Sequence, residues 1–269
     1  MDGLTRSAPR LHYVLEGPGD GRAARRTFVL AHALGCDLTM WDALAAHLAT
    51  HARVLRYDQR GHGRSPAPGG PYTVAELADD AARLIDELEL GAVTWIGLSM
   101  GGMVGQELAL RHPHKVQALV LANTTSGYPA EARAGWAQRI AGVRAGGLEA
   151  IVDGALQRWF HAGFHAEQPR AVAHWRERVL GCDRAAYIAC CEAIRDVDTT
   201  ARLPGIGVPT LVIGGELDQG TPPEMAYTLA RAIPGARLVV LREASHLSVL
   251  EQPAAFMQAL DDWLASLRG

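Results

Sequence analysis

The segment AVTWIGLSMGGMVGQELALRHP, Ala92 to Pro113, passes without a linker from an apolar strand pattern into a helical one. The joint holds Gly97, Ser99 and Gly101 in the pattern G-x-S-x-G. A strand that feeds a helix so abruptly must turn sharply, and glycines flank such a turn because side chains there collide with the neighbouring backbone. The turn lifts its serine out at the end of a strand. The pentapeptide alone would arise by chance about 0.08 times in a chain this rich in glycine, so its context has to decide. The strand reading ends at Gly97 and the helix starts at once. Gly101, Gly102 and Gly105 each weaken that helix by about 1 kcal/mol relative to alanine, a loss best explained by close packing on the sheet.

The same alternation extends along the chain. RTFVLAH (Arg26 to His32), ARVLRYD (Ala52 to Asp58), AVTWIG (Ala92 to Gly97) and VQALVLAN (Val116 to Asn123) read as buried strands. VAELADDAARLIDELEL (Val74 to Leu90) repeats apolar residues at helical spacing and reads as a crossover helix. From about Thr124 to Leu203 no strand pattern occurs. This stretch carries Trp136, Trp159, Trp175, Phe160, Phe164 and many arginines, a mixture suited to roofing a pocket for a partly anionic ligand. Strands resume at PTLVIGGE (Pro209 to Glu216) and ARLVVL (Ala236 to Leu241), with helices at PPEMAYTLARAI and PAAFMQALDDWLASL. Pro253 suits the first turn of the last helix. The expected fold is α/β, a mostly parallel central sheet flanked by helices. Residues 1–123 and 204–269 would form its core and residues 124–203 an inserted helical cap.

Charge and composition narrow the function classes. A net charge of -3 and the lack of a basic run argue against nucleic acid as a partner. The first residues have no apolar leader, and no window approaches the roughly 18 apolar residues of a membrane helix, so a cytoplasmic protein without membrane association is expected. Cys36, Cys182, Cys190 and Cys191 lack paired spacing and read as reduced thiols. The partner left open is a small organic molecule, neutral or anionic.

A serine hydroxyl becomes a nucleophile when a base takes its proton and an acid orients that base. On a strand–turn–helix elbow the chain order is serine, then acid, then histidine. Of 11 histidines, His246 alone lies late enough, in the loop after ARLVVL. The acid should follow the preceding strand, where Asp218 is favoured because it sits further into the loop, and Glu216 is the alternative. Asp196 and Asp198 are assigned to caps or salt bridges. An oxyanion needs two N–H donors, expected from Met100, directly after the serine, and from Leu34, after the first buried strand. His161 with His165 and His47 with His51 have helical spacing but no third ligand nearby, so no metal is expected. Arg60 and His62 in DQRGHGRS read as parts of a structural loop.

Together, LAHALGCDLTMWDAL, YDQRGHGRS, GLSMGGMVGQELALRHP, GGELDQGTPPE and SHLSVLEQP resemble the α/β-hydrolase family across nearly the whole chain. Within it, GWAQRIAGVRAGGLEAIVDGALQRWF and AAYIACCEAIRDVD resemble the bacterial 3-oxoadipate enol-lactonases. The resemblance implies a Ser99, Asp218, His246 triad with Leu34 and Met100 at the oxyanion hole, and no metal or organic cofactor. It implies a small lactone or ester substrate carrying an anion: 3-oxoadipate enol-lactone, opened to 3-oxoadipate in the β-ketoadipate pathway of aromatic catabolism. His32-Ala33 stands where the family commonly has His-Gly, and Leu217 where an acidic residue is common. Both departures bear on substrate rather than on chemistry. For the substrate carboxylate, Arg139 lies three residues after Trp136 and shares its helix face, with Arg133 and Arg195 as rivals. A carboxylesterase, a C–C bond hydrolase and a non-catalytic binding protein of the same fold are the other readings.

Overall fold

The computed structural model describes residues 1–18 and 26–267. In chain order its elements are β1 (Asp2–Leu4), β2 (His12–Glu16), β3 (Thr27–Ala31), α1 (Asp42–Ala49), β4 (Arg53–Tyr57), α2 (Val74–Glu87), β5 (Val93–Leu98), α3 (Met100–Arg111) and β6 (Val116–Ala122). There follow α4 (Ala130–Gly146), α5 (Val152–Trp159), α6 (Ala162–Glu167), α7 (Pro169–Leu180) and α8 (Arg184–Arg195). The chain then completes β7 (Thr210–Gly215), α9 (Pro223–Ala232), β8 (Arg237–Leu241), α10 (Ser248–Glu251) and α11 (Pro253–Ser266).

The strands form one sheet in the order β1-β2-β4-β3-β5-β6-β7-β8, parallel from β4 to β8. From β3 to β7 the strands are buried almost throughout, which is what a parallel sheet between helices demands. The expected α/β class is the observed one. Strands β1 and β2 add an antiparallel edge that the sequence reading did not anticipate. Both are short and partly exposed, so they lack the continuous apolar run by which the inner strands were recognised.

Helix α2 begins with a reciprocal cap: Thr73 Oγ1 accepts from the Glu76 N–H, and Glu76 accepts from the Thr73 N–H. Pro253 opens α11, the position where its missing N–H is harmless. Strand β3 has β4 on one side and β5 on the other, so the winding of the chain reverses there. In open α/β sheets, a reversal of this kind leaves a crevice beyond the C-terminal strand ends where ligands bind.

Between β6 and β7 the chain forms five α-helices, α4 to α8. The two ends of this segment meet. The Thr199 N–H donates to the Ser126 carbonyl at 2.8 Å, and Gln106 of α3 bonds both the Thr125 carbonyl and the Thr199 hydroxyl. The inserted helices thus leave and rejoin the sheet through one neck beside α3. All four cysteines are free thiols. Among the described residues no helix is long and apolar enough to cross a membrane.

Candidate active site

Strand β5 runs one residue further than its sequence pattern, to Leu98, and α3 starts at Met100. Ser99 is the whole of the joint. It holds φ 55° and ψ -115°, a region that costs a non-glycine residue about 1 to 3 kcal/mol. Its backbone is pinned on both sides: the N–H donates to the Ala122 carbonyl of β6, and its carbonyl accepts from Thr124 Oγ1 at 2.7 Å. The glycines are required by contact. A Cβ on Gly97 would lie 2.0 Å from the Gly101 carbonyl oxygen, and one on Gly101 would lie 2.0 Å from the Ala31 carbonyl oxygen. Helix α3 therefore presses directly on strand backbone, as its run of glycines implied.

His246 follows β8 in the loop that leads to α10. Its Nε2 lies 2.9 Å from Ser99 Oγ, and its Nδ1 lies 3.0 and 2.9 Å from the two oxygens of Asp218. All three residues are nearly enclosed, with exposures of 7%, 6% and 4% for Ser99, His246 and Asp218. The structure thus brings together the three residues that the sequence reading named. Glu216, the alternative acid, is exposed and accepts from the Glu243 N–H instead.

Asp218 sits in a nest of donors. Oδ1 accepts the N–H groups of Gly220 and Thr221, and Oδ2 accepts Thr221 Oγ1 and Asn123 Nδ2. Burial pushes this carboxyl up, but the His246 ring and these hydrogen bonds outweigh it and hold the group below the usual range. It stays an anion against an imidazole. Asn123, directly after β6, was read only as the end of a strand and given no role in the site. It also donates to the Ser245 carbonyl and accepts from Ser248 Oγ, so one amide holds the acid and both sides of the histidine. Its signal was a polar residue closing an apolar strand at the same edge as the serine.

The N–H of Met100, the first residue of α3, has no carbonyl partner within its helix. In the β3 loop the N–H groups of Ala33, Gly35 and Cys36 are bonded to Met40 Sδ, His62 Nε2 and the Ala33 carbonyl. That of Leu34 has no hydrogen-bond partner among the described residues. His62 is thus a backbone support, and Arg60 pairs with Asp80, as expected of a structural loop.

A cavity of about 520 Å³ opens over Ser99 and His246, within the usual range for small-molecule sites. Leu34, Tyr128, Trp136, Arg139 and Trp159 are among its lining. The Arg139 guanidinium lies 5.3 Å from the Trp136 ring centre and 5.5 Å from that of Tyr187, whose hydroxyl it bonds. Its buried Nε has no partner. The rivals turn elsewhere: Arg133 donates to the Tyr128 carbonyl and Arg195 pairs with Asp196. Trp175, Phe160 and Phe164 are outside the lining; the two phenylalanines stack on each other at 4.7 Å. His161 caps α6 and His47 meets Asp261.

The inserted helices are fastened to the His246 loop. Leu247 N–H donates to the Trp159 carbonyl, and Ser245 Oγ to the Arg158 carbonyl. The Glu251 carboxylate accepts N–H groups from both sides, from His161 and from Ser245. Burial pushes Glu251 up.

A family model for the alpha/beta hydrolase fold matches residues 26–253. The chain is 36% identical to 3-oxoadipate enol-lactonase 2 of Acinetobacter baylyi, over 97% of this chain and 95% of that one. The solved enol-lactonase from Burkholderia xenovorans LB400 superposes with a TM-score of 0.90 at 40% identity, covering 95% and 96% of the two chains. A thermophilic esterase from Thermogutta terrifontis, solved with malate bound, gives 0.90 at 29% identity over the full length of both.

Proposed function

Since the chain belongs to the alpha/beta hydrolase family, we propose that it is a serine hydrolase that opens the ring of 3-oxoadipate enol-lactone to give 3-oxoadipate. The observation that carries the proposal is His246 bridging Ser99 and Asp218 beneath a cavity with arginine in its wall. Similarity to two enol-lactonases supports the choice of substrate.

Ser99 Oγ attacks the lactone carbonyl carbon while His246 Nε2 takes the hydroxyl proton. Asp218 holds the Nδ1–H tautomer and stabilises the imidazolium. The oxyanion meets the N–H groups of Leu34 and Met100, the latter also at the positive end of a helix dipole. As the ring C–O bond breaks, the departing enolate oxygen takes the proton back from His246, and the enol becomes a ketone, which draws ring opening forward. Water then attacks the acyl-enzyme, His246 accepts one of its protons and returns it to Ser99 as the ester bond breaks, and the new carboxyl group loses the other to solvent and leaves as a second carboxylate. Nucleophile, base, acid and donors are all supplied by the protein, so the reaction calls for no metal or organic cofactor.

In this reading residues 1–123 and 204–269 are the hydrolase core and residues 124–203 its cap. Trp136 and Arg139 of α4 bind the substrate, the arginine through the free carboxylate. The enzyme works in the cytoplasm, in the β-ketoadipate pathway of aromatic catabolism. The deciding experiment measures kcat/KM for the enol-lactone against 4-nitrophenyl acetate. A preference for the lactone of about 10- to 100-fold, the size of one desolvated charged hydrogen bond, is expected. Equal or reversed values would make the protein a general esterase.

A further inference from the structure

Ten arginines lie between residues 124 and 203; Arg133 and Arg184 donate to backbone carbonyls, and five others are neutralised. Arg144, Arg176, Arg178, Arg195 and Arg202 each pair with a carboxylate. Arg139 and Arg158 do not. Both line the cavity above Ser99, and among the described residues no aspartate or glutamate lines it with them. Arg139 meets only neutral groups, the Trp136 ring and the Tyr187 phenol, which burial keeps protonated. The Arg158 guanidinium, in the last turn of α5, has no hydrogen bond or ion pair among the described residues. Its proton is held less tightly than usual, first because of partial desolvation and then because of the charge on Arg139. Two cations thus share one cavity whose lining, among the described residues, holds no carboxylate. Such an arrangement is relieved when an anion enters.

We propose that Arg158 is the second arm of a two-arginine clamp with Arg139, and that the clamp selects acyl compounds bearing a free carboxylate remote from the carbonyl that Ser99 attacks. The proposal rests on the reading of the cavity as the acyl pocket, and it names a specificity residue that the sequence reading passed over. Arg139 comes from α4 and Arg158 from α5, so the anion bridges two helices of the insertion. Arg158 is rooted where its own carbonyl accepts from Ser245 Oγ, one residue before His246. The backbone that carries Arg158 is therefore tied to the His246 loop.

The test uses two esters with one leaving group, 4-nitrophenyl hexanoate and the mono-4-nitrophenyl ester of adipic acid, which differ in the terminal carboxylate. The wild-type protein is expected to favour the adipate ester. In Arg158→Gln the ratio of kcat/KM values, adipate ester over hexanoate ester, should fall by about 10- to 100-fold, and Arg158→Lys, which keeps the charge but loses the fork, should fall between. Free adipate should inhibit hexanoate hydrolysis competitively, with a Ki weakened in step in the glutamine variant. An unchanged ratio, whether both activities drop together or neither drops, overturns the clamp, as does a wild-type protein without preference for the anionic ester. A protein that ignores the enol-lactone yet shows the ratio change keeps the clamp and loses the proposed substrate. One that opens the enol-lactone with the ratio unchanged does the reverse.

Discussion

Ser99 holds a backbone conformation that a serine does not choose for itself, and its hydroxyl is aimed at His246. Ser99→Ala removes one oxygen without touching the hydrogen bonds that pin the backbone. Turnover should fall by a factor on the order of 10⁴ or more while the circular dichroism spectrum is retained. A folded variant with near wild-type hydrolysis would remove Ser99 from the mechanism. The two candidate acids make a sharper contrast. Asp218→Asn offers His246 an amide where it needs an anion and should lower kcat by about 10³- to 10⁴-fold, whereas Glu216→Gln, on an exposed side chain, should stay within about twofold. The opposite ranking would reassign the acid. For Arg139, the planar fork with a buried unpaired N–H implies a role toward anions. Arg139→Ala should cut the ratio of enol-lactone to neutral-ester activity by about 10- to 100-fold. Equal losses on both would assign Arg139 to holding Tyr187 and the helix.

At the scale of elements, helix α3 and strand β3 touch backbone to backbone. A methyl group on Gly101 would meet the Ala31 carbonyl, which has no free rotamer to yield. Gly101→Ala should therefore destabilise by about 3 kcal/mol or more, lowering the thermal midpoint by on the order of 10 °C. Gly135→Ala, in the middle of α4 with open space around it, should stabilise by up to about 1 kcal/mol. Thermal denaturation of the two variants side by side checks both. Elements of this kind were legible in the sequence because each leaves a local trace: an apolar run, a glycine cluster, a loop of known chain order. Ser99, Asp218 and His246, which the structure brings together, could be named for that reason, since each closes or follows a strand. Arg158 and Glu251 leave no such trace, and Asn123 leaves only its place at the end of a strand, which does not name its partners. Asn123 meets Asp218 across 95 residues and Glu251 meets His161 across 90, contacts that exist only once the sheet and the inserted helices are assembled. The aromatic residues show the same limit, because composition names Trp136 and Trp175 alike while packing sends one to the cavity and the other away from it.

At the scale of the whole molecule, acid should weaken the fold through the histidines beneath the cavity. His62 is fully enclosed, and its Nε2 must accept the Gly35 N–H. Burial, followed by the nearby His32, lowers its pKa to about 3, and burial pushes His32 down as well. The unfolded chain titrates near the ordinary value of about 6.5, so between these values it binds more protons than the native state. The stabilisation is complete above about pH 6.5 and is lost progressively as pH falls toward 3. From His62 alone the loss between pH 6.5 and 5 is about 2 kcal/mol. Urea midpoints measured across that window should slope downward into acid, and His62→Gln, whose amide oxygen can take the Gly35 N–H, should flatten the slope. Parallel profiles would exclude His62 as the cause.

This chain cannot exchange its inserted helices for those of a relative as a free-standing block. The carbonyls of Arg158 and Trp159 and the N–H of His161 are bound to Ser245, Leu247 and Glu251, the residues that frame His246. A graft spanning 124–203 alone would present foreign backbone to that frame and tilt the imidazole, so a chimera could bind a new ligand and still be inert. The unit expected to transplant with its activity is discontinuous: residues 124–203 together with 245–251, two pieces of sequence to be moved as one.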